Sequence, residues 1–389
     1  MTSTDHATAT TAPTVVVVGI HGHGASHVAA ARALAATGAI RLVGLVDRTF
    51  TEEDRAAGDA PLRDSLEECF AAGRVDVVIL STPIHTHLDL AVAALEHGAD
   101  VLLEKPPVTS NDELDRLQAT AARTGGLVQV GFQSLGSHAI GEIADIVAGG
   151  EIGAVTALEA RGTWVRTVGY WTRAAWSGRR TLDGTPVVDG VVTNPFAHAV
   201  QTMLRLGGTT DRAAIATIDL DQYRANDIEA DDTSVVRITP QRGPIMTAAL
   251  TLCAQETTDP VVTVHGELGS VRFHYTRDEV EVVVDGVTAR RWTTGRTDLL
   301  PDLLRAREAV RAGEDAALVS SLADASAFTA VLDEVRSAPA PHRIPADLVE
   351  WLGTGDDRRP VIPRIEELVA EAAATGRTFA ELGTDWARR

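Results

Sequence analysis

Lysine is almost absent from this chain. Of its 389 residues 35 are basic, and Lys105 is the only lysine, which leaves 34 arginines. Cysteine is nearly as scarce. Cys69 and Cys253 lie far apart and form no C-x-x-C pair, which excludes a disulfide scaffold and a cysteine-built zinc knuckle. Both read as small buried hydrophobes in a reducing compartment. A basic surplus is missing too. The net charge of −19 argues against a nucleic-acid partner, because phosphate binding requires a basic footprint. No run approaches the ~20 apolar residues of a membrane span. Residues 1–13 are rich in Thr and Ala and lack the basic and apolar regions of a signal peptide. The expectation is a cytoplasmic protein with a disordered tail at 1–13 and no membrane partner.

What is present is a regular alternation. Thr14 to Gly19 is a β-branched run, Gly24 to Ala36 has helical spacing, and Ile40 to Asp47 is a second apolar run. Ser65 to Ala72 reads as a helix, Val75 to Leu80 as a strand, His87 to Gly98 as a helix and Val101 to Glu104 as a strand. Asn111 to Thr124, with Ser110 or Asn111 as its cap, and Leu127 to Gly131 complete the series. Short apolar strands alternating with helices predict a doubly wound parallel sheet of Rossmann type over 14–131. Beyond Phe132 the texture changes to strands with hairpin turns, Asp285-Gly286 being the clearest. Residues 132–340 therefore predict an α+β domain with a mostly antiparallel sheet and flanking helices. Residues 341–389 form a C-terminal extension with one amphipathic helix, Ile365 to Ala374, readable as an arm or a lid.

The first strand runs into Gly19-Ile20-His21-Gly22-His23-Gly24. Gly19 and Gly24 match the outer glycines of a G-x-G-x-x-G dinucleotide loop, and His21 replaces the middle one. Asp47 ends the second strand, where a carboxylate accepts from both ribose hydroxyls of NAD and repels a 2′-phosphate. Arg48 beside it would suit that phosphate, so NAD leads and NADP stays open. His21, His23 and His27 invite a zinc reading. With no Cys beside them, they read instead as donors near a phosphate cradle, and no metal is expected.

Lys105 lies in Glu104-Lys105-Pro106, directly after the fourth strand of the series, where open α/β sheets bind ligands. An ammonium is a compact point charge; a guanidinium is planar and never deprotonates. Asn194-Pro195 reads as a helix start that puts His198 one turn in, on the face of Asn194.

Together these motifs resemble the Gfo/Idh/MocA family of oxidoreductases, which includes glucose–fructose oxidoreductase and inositol dehydrogenase. The similarity rests on the glycine loop followed by His27, Thr82-Pro83 with His87, Glu104-Lys105-Pro106, Gly131-Phe132 and Asn194-x-x-x-His198. It runs from about Val15 to Arg336. The resemblance implies that Ile20, His21, Gly22, His23, Thr82, Pro83, His87, Glu104 and Lys105 line the cofactor. It also implies that the second domain is a large open sheet serving substrate binding and oligomerisation, that Lys105 and His198 flank the reacting carbon, that Gln133 and Asn194 meet the substrate, and that the protein is a homodimer or homotetramer. The chain departs from the family at His21, at Leu135 where an Arg is common, and at Asn194 where an Asp is usual. Asn keeps the size and the hydrogen bonds but cannot take a proton.

The implied activity is hydride transfer between NAD(P) and a hydroxyl carbon of a sugar, sugar acid, cyclitol or related polyol. His198 is the acid–base group and Lys105 the donor to the reacting oxygen. Trp164, Tyr170, Trp171 and Trp176 suit a sugar ring, and Arg161, Arg166, Arg173, Arg179 and Arg180 among them suit an acidic one. Trp164 and Arg166 are the substrate contacts expected there. Two alternatives share the fold: an NAD-dependent glycosidase or lyase working by transient oxidation and elimination, and a non-catalytic cofactor-binding protein.

Overall fold

The computed structural model describes residues 12–387, so nearly all of the expected tail at 1–13 lies outside the described residues. The chain divides into two compact units. The first takes residues up to 82, 86–104 and 119–128; the second takes 83–85, 105–118 and everything from 129 onward.

The first unit is built on the strands β1 (Thr14–Val18), β2 (Arg41–Val46), β3 (Leu62–Arg63), β4 (Val77–Leu80) and β5 (Asp100–Leu103), with the first residue of β6 (Val128–Val130). Their order is β3-β2-β1-β4-β5-β6, and β1 pairs in parallel with both β2 and β4. Every residue of β1 and β4 is buried, as expected of valine-rich strands covered on both faces. Helices α1 (Gly24–Ala36), α2 (Glu52–Ala57), α3 (Leu66–Ala72), α4 (His87–Glu96) and α5 (Asn111–Thr124) connect them. Their starts are chemically marked: Ser65 Oγ accepts from Glu68 N, and Ser110 Oγ from Glu113 N. The sequence pattern gave no sign of α2, although Thr51 and Asp54 cap it reciprocally. Cys69 on α3 packs so closely on Gly44 of β2 that a methyl group there would strike its sulfur. Burial pushes that thiol up to about 11, so it is packing material rather than a nucleophile.

In the second unit α6 (Ala139–Ala148), β7 (Val155–Thr163), α7 (Val168–Thr172), a small hairpin of β8 (Thr181–Leu182) and β9 (Thr185–Pro186), and α8 (Ala197–Leu206) come first. Then follow β10 (Ile215–Arg224), β11 (Thr233–Pro240), β12 (Met246–Thr251), β13 (Val261–Gly266), β14 (Ser270–His274), β15 (Glu279–Val284) and β16 (Val287–Thr293). Helices α9 (Leu299–Arg311) and α10 (Ser326–Ser337) precede β17 (His342–Arg343). Nine strands form one sheet in the order β16-β15-β14-β13-β7-β12-β11-β10-β17, antiparallel except at β7–β12 and β10–β17. Asp285 and Gly286 both take positive φ at the β15–β16 turn, the backbone a two-residue hairpin requires.

The C-terminal extension is part of this unit. It adds the hairpin β18 (Glu350–Leu352) and β19 (Arg359–Val361), then α11 (Ile365–Thr375) and α12 (Phe379–Leu382). Ile362, Ile365, Val369, Ala372, Phe379 and Trp386 bury themselves against Tyr223, Val235 and Ala249 of the sheet. Gly162 on β7 lies against Phe196, just ahead of α8, and a side chain there would collide with that ring. Ala249 pairs with Arg161, the neighbour of Gly162, so successive residues put α8 and α11 on opposite faces of the sheet.

Candidate functional site

Within the first unit the glycine loop leaves β1 at its carboxyl end, where strand order turns from β2 on one side to β4 on the other. That is the switch point at which doubly wound sheets bind ligands. Gly19 takes φ +80°, and a side chain on it would strike the carbonyl of Ser81; one on Gly24 would strike the carbonyl of Gly19. Tight backbone bonds from Gly24 N, Ala25 N and Ser26 N to His21, Gly22 and His23 carbonyls wind the loop into α1. No side chain caps α1, and its first turn has no acid, so its N-terminus suits an anion. These features fit a dinucleotide pyrophosphate, with the amides of the loop as its donors.

Asp47 accepts from Ile20 N at 3.0 Å and from Arg48 N at 2.7 Å, which fixes its carboxylate beside the loop. His21 turns toward it, Nδ1 lying 3.2 Å from Asp47 Oδ2 while Nε2 lies 3.0 Å from Asp54 Oδ2. The hydrogen bond to Asp54, joined by the charges of both carboxylates, raises the imidazole's pKa despite partial burial. Asp54 is lowered to about 2, first by the Thr51 hydroxyl and amide and then by His21. The Arg48 side chain is exposed. Thr82 Oγ1 meets Thr86 Oγ1 at 2.6 Å, and the Thr82 carbonyl lies 2.8 Å from Nε2 of fully buried His87. His87 thus sits behind the loop and shapes it, while Pro83 is exposed.

Glu104 is buried at the end of β5. Its Oε1 lies 2.8 Å from His27 Nε2 and 3.3 Å from His23 Nε2. Burial alone would push this carboxyl up; the two imidazoles outweigh it and hold the group well below the usual carboxylate range. The resemblance implied only that Glu104 lines the cofactor. The structure shows its carboxylate on the two histidines.

Within the second unit Lys105 Nζ donates to Asn194 Oδ1 at 2.7 Å and to the Asn194 carbonyl at 2.9 Å. Asn194 Nδ2 in turn donates to Asp189 Oδ1 at 2.6 Å. Asp189 is buried, and its other oxygen accepts from Gly178 N at 2.8 Å with Arg173 NH2 at 3.5 Å. The amide of Asn194 is thereby oriented: its NH2 faces a carboxylate and its oxygen faces an ammonium. The same engagement overturns the expected helix start. α8 begins at Ala197, with Phe196 rather than Asn194 at its cap, because the Asn194 oxygen is committed to Lys105. His198 is the second residue of α8. Its Nδ1 lies 3.5 Å from Ser134 Oγ, which accepts from Thr202 Oγ1 at 2.9 Å, and its ring packs edge-on against Phe132. Gln133 is half-buried beside Ser134 in the turn before α6.

The arginine-rich segment sorts itself. Arg161 faces Glu159, Arg173 faces Asp189 and Arg179 faces Glu229. Arg180 donates to the carbonyls of Val335, Arg336, Ala338 and Pro339, closing the end of α10. Arg166 alone among the five is held by no carboxylate or helix end. It stacks between Trp164 and Tyr170, 4.8 Å from each ring centre, and its Nε has no partner among the described residues. Trp164 tilts onto Phe196 at 4.4 Å, which ties this cluster to the Asn194 turn. The extension braces it, since Val168 N donates to the Arg358 carbonyl.

Asp189 was missed by sequence reasoning. It stands five residues before Asn194 across two buried valines, with no periodicity linking the two. The departure at Asn194 was the available signal, because a lost carboxylate invites a search for another nearby.

A glycine cradle with an acid beside it, and a lysine fixed in a polar turn, define a dinucleotide-dependent oxidoreductase class. The chain belongs to the Gfo/Idh/MocA family: residues 14–132 match its oxidoreductase family, NAD-binding Rossmann fold, and residues 140–272 match its C-terminal domain. It is 32% identical over 143 residues to inositol 2-dehydrogenase of Rhodococcus erythropolis, covering 36% of this chain and 41% of that one. Matches to other curated relatives span 28% and 22% of their lengths. Among solved structures, the WlbA dehydrogenase of Bordetella pertussis in complex with NADH and UDP-GlcNAcA has a TM-score of 0.67 at 20% identity, over 83% of this chain and 95% of that one. A levoglucosan dehydrogenase in complex with NADH has the same TM-score at 17% identity and the same coverage. At these identities the structural likeness establishes the fold.

Proposed function

We propose that this protein is an NAD-dependent dehydrogenase acting on a CH–OH group of a sugar, sugar acid or cyclitol. Lys105 donates to the reacting oxygen and His198 exchanges the hydroxyl proton. The observation that carries the reading is the chain Lys105–Asn194–Asp189. It holds the only lysine of the protein by two acceptors and orients the amide between them with a buried carboxylate.

Bound NAD supplies the hydride acceptor, and Asp47 favours it over NADP by its negative charge at the ribose position. As the C–H hydride leaves, the hydroxyl proton passes to His198 and the oxygen becomes a carbonyl. His198 suits this task because an imidazole can both accept and donate a proton. The contact with Ser134 fits the tautomer in which Nδ1–H donates and Nε2 accepts. Lys105 stabilises alkoxide character on the oxygen without giving up its own proton. Asn194 cannot take a proton, so it positions the ammonium and leaves the transfer to His198.

Relatives named inositol 2-dehydrogenase and levoglucosan dehydrogenase support a polyhydroxylated substrate. Arg166, flanked by Trp164 and Tyr170, is the residue on which an acidic group of that substrate would dock, with Gln133 as a further contact. A partner copy would use the face of β13–β16, because the extension takes the same face over β10–β12.

The test is NADH formation across a panel of polyols, cyclitols and sugar acids, with Lys105→Met and His198→Ala beside the parent. Each variant should lose about 10²–10⁴-fold in kcat, the range of a positioned acid–base group, while still binding NAD. Full activity in both variants would overturn the assignment.

A further inference from the structure

The first unit holds a second arrangement that hydride transfer does not use. His23 and His27 are four residues apart at the start of α1, so they share one helix face. Both present Nε2 to one oxygen of Glu104, which arrives from the end of β5, 77 residues further along the chain. The three ligand atoms lie within 4.8 Å of one another. Around a four-coordinate zinc ion, with bonds of about 2.0–2.1 Å, neighbouring ligand atoms stand roughly 3.3 Å apart. The His23–Glu104 separation is 3.3 Å, and the His27–Glu104 separation of 2.8 Å needs only a small opening. The absence of a cysteine beside the histidines argued against a metal; the further ligand is a carboxylate that no local spacing reveals.

We propose that His23, His27 and Glu104 form a binding site for a divalent transition-metal ion of the zinc type, and that dinucleotide and metal exclude one another there. Two imidazoles with one carboxylate suit zinc, cobalt or nickel and disfavour magnesium and calcium, which prefer oxygen-only sets. A fourth position would be left to water. A second trio, His274, Glu279 and Glu281, is a weaker candidate. Glu281 there is already paired with Arg291, and Arg272 stands 3.8 Å away, so a cation would meet positive charge. The exclusion half of the proposal rests on the cofactor reading, because His23 belongs to the glycine loop and Glu104 closes β5 beside it. The metal-binding half does not.

The experiment is calorimetric titration of the dinucleotide-free full chain with zinc chloride and, in parallel, magnesium chloride. It is run on the parent, His23→Ala and His274→Ala, and the zinc titration is repeated in saturating NAD. The His23 side chain is 61% exposed, so its removal leaves the fold intact, which a melting curve checks. One tight zinc site is expected in the parent. It should weaken at least about tenfold in His23→Ala, the lower bound of what even an outer-shell change does to a metal site. His274→Ala should retain it, magnesium should not occupy it, and NAD should suppress it. Zinc affinity unchanged in His23→Ala, or lost in His274→Ala, would overturn the site. Zinc binding unaffected by NAD that is shown to bind would overturn the exclusion. If NAD itself fails to bind, the cofactor reading falls, and the zinc result in the free protein still decides the site.

Discussion

The two units place their chemistry by opposite means. In the first, the binding elements are backbone: a glycine turn, an uncapped helix and a strand-end carboxylate fastened by neighbouring amides. In the second they are side chains linked over long stretches of sequence, Lys105 to Asn194 across 89 residues and Asn194 back to Asp189. A backbone cradle refuses a side chain only where a Cβ would collide, at Gly19 and Gly24, while the exposed position 21 carries a histidine. A relay of side chains tolerates no loss of a member, because removing one leaves a buried polar partner unmatched.

The comparison breaks first where the second unit is cored out. Phe379 on α12 is fully buried against Tyr223 and Trp386. Phe379→Ala should cost about 3–5 kcal/mol, read as a lower urea midpoint, with NAD affinity below the transition unchanged. Reduced NAD affinity in the folded variant would contradict a cofactor cradle built from the first unit's backbone. Asp189→Asn comes next. It keeps the volume but has one acceptor oxygen where the carboxylate serves both Asn194 Nδ2 and Gly178 N, so one donor loses its partner and the charged hold on Asn194 is lost. Loss of a hydrogen bond to a charged group is worth about 1.5–3 kcal/mol, which is roughly a 10–100-fold fall in kcat. A positioning role predicts that fall with substrate KM nearly unchanged; a purely structural role predicts lower stability with kcat intact.

The smallest effect belongs to the first unit. The folded-state pKa of His21 is raised, first by Asp54. Its pairing therefore stabilises the fold fully below the unfolded value of about 6.5 and fades as pH rises through the raised value. The urea midpoint difference between the parent and His21→Ala should be present at pH 6 and shrink toward higher pH. A difference that grows with pH would contradict the pairing.

Legibility followed the same division. The bounds of α1, the Ser110 cap, the Asp285-Gly286 hairpin and the alternation of strands and helices in the first unit could be read locally, because turns, caps and buried valine runs are local signals. Lys105 and His198 could be singled out from Glu104-Lys105-Pro106 and Asn194-x-x-x-His198. What escaped was non-local. Asn194 looked like a helix cap until Lys105 was seen to hold its oxygen. Nothing in Glu104-Lys105-Pro106 pointed to the two histidines that Glu104 meets, and Asp189 carried no pattern at all. The extension showed an amphipathic helix, but nothing in its spacing said that its apolar face would settle on β10–β12.

The central claim is that a point-charge ammonium, held by Asn194, meets the reacting oxygen. Lys105→Arg tests it most directly, since charge is kept while the compact head becomes a planar fork. With NAD saturating and a substrate from the active panel, the claim predicts that hydride transfer falls by at least about a hundredfold, within the range for losing a transition-state donor, while NAD binding persists. A Lys105→Arg enzyme that transfers hydride at the parent rate would contradict it.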